Sequence, residues 1–351
     1  VSHGQDDISV GVVGFGPMGA MHGAIVNAIE GIRLGAVAES SGTVRRVLRS
    51  LRPELLVVKD YRQLLDAAVD AVVIATPPST HVEIATACAE QGIPFLVEKP
   101  LARTAGEAHG LVQLVEHSEI RAMVGFSHSY RPPYLRGRQL LEEGVIGSPQ
   151  FFHASVLLSQ VFAPLKGWRG DPTIAGGGVV MTHGCHMLSI LLNYFGTPAR
   201  VLARCQNLLE HHVEDAAHIV LTFATGVEGF VDLSWSAHGH VGFDSRLTIH
   251  GDTGQLDISA DELRMYVQDI SDPSREGWHI LTAPELASTV PIDIGAPEYA
   301  RQDLEFLNAV RTGARPANDV RHGYLVHQVI DAIYASARAG GTPVDVEGAS
   351  G

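Results

Sequence analysis

The run Gly14-Phe15-Gly16-Pro17-Met18-Gly19 constrains this chain more than any other feature. It follows a short, apolar, β-rich segment, Ile8–Val13, and opens a helix-compatible stretch, Met18–Ile29. In such a turn the first glycine permits a sharp exit from the strand. The second lets backbone N–H groups approach a pyrophosphate at the positive end of the helix, and the third lets helix and strand pack closely. A bare Gly-x-Gly-x-x-Gly says little. Here a second strand-like run, Ile32–Ala38, ends at Glu39, 20 residues after Gly19, where a carboxylate would bind ribose hydroxyls. The pattern predicts a dinucleotide-binding βαβ unit. Glu39 favours NAD because it would repel the extra phosphate of NADP, whereas Arg45 and Arg46 leave NADP open, since guanidinium groups receive phosphate well.

The same alternation continues. Ala71–Ala75 and Phe95–Val97 are continuous apolar runs, as parallel strands covered on both faces require, and Ala122–Phe126 is a further strand. Helical patterns over Val82–Glu90 and Ala105–Glu116 separate them. After Phe126 the rhythm changes. Leu135–Glu143 reads as a helix, and strand candidates then succeed one another at Phe151–Ser159, Val201–Leu209, His218–Phe223 and Gly229–Trp235. Gly226 and the stretch Gly251–Gly254 mark two hairpins, with a helix over Val179–Phe195 to lie against the sheet. Ala300–Val310 and Tyr324–Ala339 close the chain as helices, the second stopped by Gly340-Gly341. The expected class is α/β. An N-terminal Rossmann domain with a doubly wound parallel sheet spans 1–126. A C-terminal α+β domain, 127–351, has an open, largely antiparallel sheet for substrate binding and oligomerisation, its last helix packing back near the Rossmann domain.

Composition narrows the partners. With 351 residues, 45% hydrophobic and 18% charged, the chain can bury two cores of ordinary size. A net charge of -14 and the lack of any Lys/Arg run argue against nucleic acid and anionic membranes. Cys88, Cys185 and Cys205 are too few and scattered for a disulfide framework, so a reducing cytoplasm is expected. The polar stretch Val1–Asp7 does not resemble a secretion signal, and no apolar run is expected to reach bilayer-spanning length.

Two further motifs follow strands. Thr76-Pro77-Pro78-Ser79-Thr80-His81 and Glu98-Lys99-Pro100 fall at carboxyl edges, where open α/β sheets bind ligands, and Pro100 keeps Lys99 extended. Gly14, Phe15, Gly16, Pro17, Met18, Gly19, Glu39, Thr76, Pro77, His81, Glu98 and Lys99 therefore form the candidate cofactor set. Taken in order with His22, Arg131, Gly144-Val145-Ile146-Gly147, Trp168-Arg169-Gly170-Asp171-Pro172, and Gly176-Gly177-Gly178 followed by His186, the chain resembles the Gfo/Idh/MocA family over nearly its whole length. That resemblance implies a dinucleotide in the first domain and a substrate on the second, with Lys99 and His186 acting at the reacting carbon. Arg131, Trp168, Arg169, Thr182 and His183 complete the candidate substrate set.

One position departs from the family pattern. Where an Asp usually precedes the histidine by four residues, this chain has Thr182, in Thr182-His183-Gly184-Cys185-His186. A threonine offers only a hydroxyl, so less of the proton transfer is expected of His186 and more of Lys99, a lysine being a suitable acid/base when burial or nearby positive charge tunes it. His183 and His186, with His211, His212, His238 and His240, raise a metal reading, but no carboxylate or cysteine completes a ligand spacing, and no metal is expected. Cys185 has no orienting third group that would make it a nucleophile. The expected activity is an NAD(P)-dependent dehydrogenase or reductase acting on CH–OH groups of a sugar, polyol or cyclic diol, assembled as a homodimer or homotetramer. Two rivals share these residues: a redox-neutral NAD-dependent glycosidase, and a non-catalytic NAD-binding sensor.

Overall fold

The computed structural model describes residues 8–163, 165, 167–209, 212–240, 242–268, 276–293 and 296–347. They form two compact units, one from Val1–Phe126 with Thr289–Tyr324, the other from Ser127–Ser288 with Leu325–Gly351.

The first unit begins with β1 (Ile8–Val13), α1 (Pro17–Ala28), β2 (Ile32–Ala38), α2 (Gly42–Leu51), β3 (Leu56–Val58) and α3 (Tyr61–Leu65). It continues with β4 (Ala71–Ile74), α4 (His81–Glu90), β5 (Phe95–Glu98), α5 (Ala105–Ser118) and β6 (Ala122–Gly125). The strands pair in parallel in the order β3-β2-β1-β4-β5-β6. β4, β5 and β6 are buried at every residue, which explains their unbroken apolar sequences: helices cover both faces of the sheet. Strand order reverses on either side of β1, and the crevice at that switch point, outside the carboxyl ends, is where such sheets take ligands. The three-residue β3 carries no pattern long enough to read in advance.

In the second unit α6 (Pro132–Glu142) leads to β7 (Pro149–Leu157), then α7 (Pro172–Ala175), a π-helical turn over Val180–Gly184, and α8 (Cys185–Phe195). There follow β8 (Arg200–Gln206), β9 (Ala216–Thr222), β10 (Glu228–Ser234), β11 (Asp244–Gly251), β12 (Gly254–Ser259), β13 (Glu262–Val267), β14 (Gly277–Thr282) and α9 (Ala283–Leu286). Later in the chain come α10 (Pro297–Thr312), which belongs to the first unit, α11 (Val320–Arg338) and β15 (Val344–Asp345). Nine strands lie in the order β14-β13-β12-β11-β7-β10-β9-β8-β15. All pairs are antiparallel except β7 with β10. Alternation sets the two faces: Phe152, Ala154 and Val156 of β7 and Val231 and Leu233 of β10 are buried, while Phe151 and Phe230 are exposed. Phe152 stacks on Phe195 of α8 at 5.2 Å, so that helix covers the inner face.

The stretch Pro172–Phe195 does reach membrane-spanning length and hydropathy, against the expectation from sequence, but 83% of its most apolar window is buried inside the fold. It is a core segment, interrupted by the π turn and by Gly176, which sits at φ +83°.

Candidate active site

In the first unit the three loop glycines serve different ends. Gly14 holds φ +84°, and a Cβ there would fall 2.7 Å from the Ala75 carbonyl oxygen. A Cβ on Gly19 would fall 1.9 Å from the Gly14 carbonyl oxygen, so helix and turn touch without a side chain between them. At Gly16 a Cβ would meet nothing within 4 Å. Gly16 is also the N-cap of α1, which has no side-chain cap and no acid in its first turn. A helix start with uncapped N–H donors, positive dipole end and an open approach fits a pyrophosphate.

The Glu39 carboxylate is fixed beside this turn. Its Oε2 accepts the Phe15 N–H at 2.7 Å and its Oε1 the Ser41 N–H at 2.6 Å. Arg45 donates to the carbonyl oxygens of Glu39 and Ser40 at 2.6 and 2.7 Å, which ties its guanidinium to the same loop. Oε1 also accepts the Ser40 hydroxyl at 3.3 Å, which leaves the open lone pair for a ribose hydroxyl on Oε2.

Across the sheet, the two post-strand loops are tied together by His81. Its Nδ1 lies 2.7 Å from the Pro100 carbonyl oxygen and its Nε2 2.7 Å from that of Thr76. Burial lowers its pKa below the ordinary histidine value, with the two carbonyls working against that shift. His81 therefore braces the Thr76-Pro77 and Glu98-Lys99 loops. The Lys99–Pro100 peptide is cis. Lys99 is half-buried, and its backbone N–H donates to Oε2 of Glu98 at 3.2 Å.

Glu98 is itself held from behind. His22, wholly buried in α1, places Nε2 3.1 Å from Glu98 Oε1 and Nδ1 2.8 Å from Oδ2 of Asp303, on α10. Burial opposes charge on this ring, but the charge and hydrogen bonds of Asp303, then those of Glu98, outweigh it and raise the pKa to about 10. His22 is thus an imidazolium donating to two carboxylates. His22 was visible in the sequence beside the glycine run; Asp303, 281 residues further on, carried no local signal.

The second unit gathers Arg131, Thr182, His183 and His186 with two residues the sequence did not flag, His128 and Phe243. His186, 3% exposed, stacks on His128 at 4.0 Å. The His128 ring meets Phe243 edge-on at 4.1 Å, and the Arg131 guanidinium lies over Phe243 at 5.6 Å. His183 is half-buried, 5.7 Å from Phe243 and 6.0 Å edge-on from Trp235.

The glycine triplet positions this group. A Cβ on Gly177 would meet the Tyr334 hydroxyl at 2.0 Å, and one on Gly178 the Glu214 carbonyl oxygen at 2.0 Å. Glu214 accepts the N–H groups of Gly178 and Val180 at 2.9 and 3.0 Å and the Tyr334 hydroxyl at 2.9 Å. Burial raises its pKa, against which these donors act. The Thr182 hydroxyl donates to the Gly178 carbonyl at 2.7 Å and stands 3.0 Å from His183 Nδ1. Trp168 and Arg169 form their own pair, the guanidinium 4.7 Å above the indole. Among the described residues no three His, Cys, Asp or Glu side chains gather as a metal site; His211 lies outside those residues.

Comparison with known proteins matches residues 8–126 to an oxidoreductase family model, NAD-binding Rossmann fold, and residues 134–257 to the GFO/IDH/MocA C-terminal domain. Levoglucosan dehydrogenase of Pseudarthrobacter phenanthrenivorans is 28% identical over 95% of this chain and 97% of its own. Inositol 2-dehydrogenase 1 of Saccharopolyspora erythraea is 27% identical over 97% and 96%. A structure of levoglucosan dehydrogenase with NADH and levoglucosan superposes at a TM-score of 0.87, with 26% identity, covering 97% of this chain and 100% of that one.

Proposed function

The chain belongs to the Gfo/Idh/MocA family of NAD-binding oxidoreductases, and from that premise we propose that it moves a hydride between a nicotinamide cofactor and a carbinol carbon of a sugar, polyol or cyclic diol. The observation that carries this is the uncapped start of α1 beside an anchored Glu39: one element receives a pyrophosphate, the other a ribose diol. Gly14, Phe15, Gly16, Pro17, Met18 and Gly19 would cradle the dinucleotide, with Thr76 and Pro77 at the neighbouring strand end. When bound, NAD supplies the hydride acceptor.

The protein's task is then to manage the hydroxyl proton. Lys99 is the candidate acid/base, held in place through Glu98, His22 and Asp303 on one side and the His81 brace on the other. Arg131, His183 and His186 around Phe243 would orient the substrate oxygens. The aromatic rings suit the apolar C–H faces of a polyol or sugar ring. Trp168 and Arg169 would shape the same substrate site. We further propose a homodimer or homotetramer, supported by the exposed aromatic residues on the outer face of the large sheet.

The test is a screen of polyols, sugars and cyclic diols for NADH absorbance, followed by Lys99→Ala with the best substrate. Loss of a positioned acid/base lowers rate by about a hundredfold to ten-thousandfold, and NAD binding should survive. Unchanged turnover in Lys99→Ala would remove the lysine from the chemistry. Tightly held NAD with cleavage of a glycoside and no net NADH would mark the redox-neutral glycosidase; binding without any turnover would mark the sensor.

A further inference from the structure

The loop between β10 and β11 carries His240, which the sequence raised only as a candidate metal ligand. β7 lies between β10 and β11, so this connection crosses the carboxyl end of β7. It leaves from Trp235 and arrives at Phe243, and both of those rings flank His183, at 6.0 and 5.7 Å. The crossing is tied to the chain that follows β7. The N–H groups of Gln160 and Val161 donate to the Trp235 carbonyl at 3.0 and 2.9 Å, and that of Ala237 donates to the Leu158 carbonyl at 3.0 Å. The Ser159 hydroxyl donates to the Ala237 carbonyl at 2.5 Å and accepts the His240 N–H at 3.0 Å. One hydroxyl thus closes the turn from Ala237 to His240 and fixes where the imidazole leaves the backbone.

The ring itself is oriented by Asp244, the first residue of β11 and the neighbour of Phe243: His240 Nδ1 lies 2.8 Å from Asp244 Oδ2. A carboxylate only accepts, so Nδ1 carries the proton and Nε2 of neutral His240 bears the lone pair. Arg246 Nε stands 3.7 Å from Asp244 Oδ1 and balances the charge of the carboxylate. The contacts that fix the loop use the backbone N–H and Nδ1, and among the described residues no group bonds Nε2, while the side chain is 26% exposed. His238, two residues earlier, is engaged differently, stacked on Phe162 at 4.3 Å. We infer that His240, oriented by Asp244, is a substrate-binding residue beside the Phe243 cluster: its Nε2 accepts a hydrogen bond from a substrate hydroxyl and so selects ligands that carry a donor there. This deepens, and rests on, the reading of the chain as a dehydrogenase of sugars, polyols or cyclic diols. Asp244 is a positioning residue, since it acts through the ring. Lys99 remains the proposed acid/base. An ether, a carboxylate or a deoxy position cannot donate to Nε2, so hydroxylated and deoxygenated versions of one substrate should be sharply distinguished.

The inference is tested first without turnover. In the full-length protein with ¹⁵N-labelled histidine, long-range proton–nitrogen spectra should show neutral His240 as the Nδ1–H form, assigned by loss of its signals in His240→Gln. The Nε2 resonance should then shift when NADH is added together with D-glucose or myo-inositol, whichever the enzyme oxidises faster with NAD, a pair that cannot react. Neutral His240 found as Nε2–H overturns the inference, and so does an Nε2 resonance that stays in place at saturating ligand. In kinetics with the same substrate, Asp244→Ala should lose about tenfold in kcat/KM, mainly through KM, and should gain the Nε2–H form. Asp244→Asn, whose amide oxygen still accepts from Nδ1, should recover most of that loss. His240→Phe should lose about tenfold to a hundredfold in kcat/KM, and removal of the matching hydroxyl from the substrate should cost the wild type as much while costing His240→Phe little. A folded His240→Phe that discriminates among the monodeoxy substrates as the wild type does overturns the assignment; where a variant does not fold, the wild-type spectra with and without ligand decide it. A wild type that binds NAD yet oxidises no hydroxyl compound defeats the functional reading instead, and the ligand-free spectrum still decides whether Asp244 sets the ring.

Discussion

A methyl group added at Gly19 would press on the Gly14 carbonyl oxygen at 1.9 Å, whereas one added at Gly16 would meet no atom of the chain within 4 Å. The same substitution at two sites three residues apart should therefore fail differently. Gly19→Ala should destabilise the fold by about 1–3 kcal/mol, the cost of overpacking, while Gly16→Ala should stay within about 0.5 kcal/mol of wild type in thermal or urea unfolding. Titration with NAD should reverse the order of interest, Gly16→Ala binding about tenfold or more weakly because its methyl enters the space a pyrophosphate needs. Full NAD affinity in Gly16→Ala would show that the open side of the turn does not face the cofactor. Glu39 makes the companion case. Its two anchoring N–H bonds, from Phe15 and Ser41, hold the carboxylate where it would repel an added phosphate. Glu39→Ser should narrow the preference for NAD over NADP in kcat/KM, and an unchanged ratio would count against that role.

At the scale of elements, the feature that organises the first unit is a buried ion cluster spanning α1, β5 and α10: His22 with Glu98 and Asp303. Its imidazolium has a pKa raised to about 10 from an ordinary 6.5, the carboxylates outweighing the burial that opposes it. A pKa raised by folding contributes stability fully present below the unfolded value and lost as pH rises through the folded one. Thermal stability should therefore decline between pH 6.5 and about pH 10 through this group. Asp303→Asn should flatten that decline and cost about 3–5 kcal/mol at neutral pH, since it leaves a buried charge with part of its compensation. Melting curves of both proteins across that range are the measurement; parallel curves would show that His22 is not charged by this pair. The cluster also marks how far sequence reading reaches. β4 and β5 were legible because each carries a continuous apolar run ended by a turn, β1 and β2 because their mostly apolar stretches flank the glycine turn and its helix, and the glycines and Glu39 because their spacing is local. β3 was too short to show a period, and Val179–Phe195 read as one helix because a π turn preserves helical hydrophobicity while shifting which side chains meet. Asp303, His128 and Phe243 enter their sites through tertiary contacts alone, for which the chain has no local pattern.

For the whole molecule the question is what meets the outer face of the nine-stranded sheet. The inner face is closed by α6 and α8, with Phe152, Val156, Val231, Leu247 and Ile258 buried there. The outer face presents Phe151 and Phe230 at 49% and 56% exposure, and Trp278 and Ile280 of β14 at 48% and 56%. Beside Phe151 and Phe230, on β7, β10 and β9, His153 and His218 both bond Asp232, at 3.0 and 2.7 Å, and these contacts outweigh burial to lower the Asp232 pKa. Exposed aromatic residues beside a self-satisfied polar cluster suit an interface, apolar where water is excluded and polar where hydrogen bonds are already matched. The chain's net charge of -14 opposes close approach of two copies, so the proposed association would draw on this apolar area and should tighten as salt screens the repulsion. Light scattering should give a multiple of the 37.5 kDa chain mass at working concentration. Placing carboxylates on the face, Phe151→Asp with Phe230→Asp, would desolvate unpaired charge in any such contact and should shift the mass toward 37.5 kDa while NAD binding in the first unit persists. A double variant that keeps the wild-type mass would move the interface elsewhere, and a monomeric wild type would leave this face to solvent.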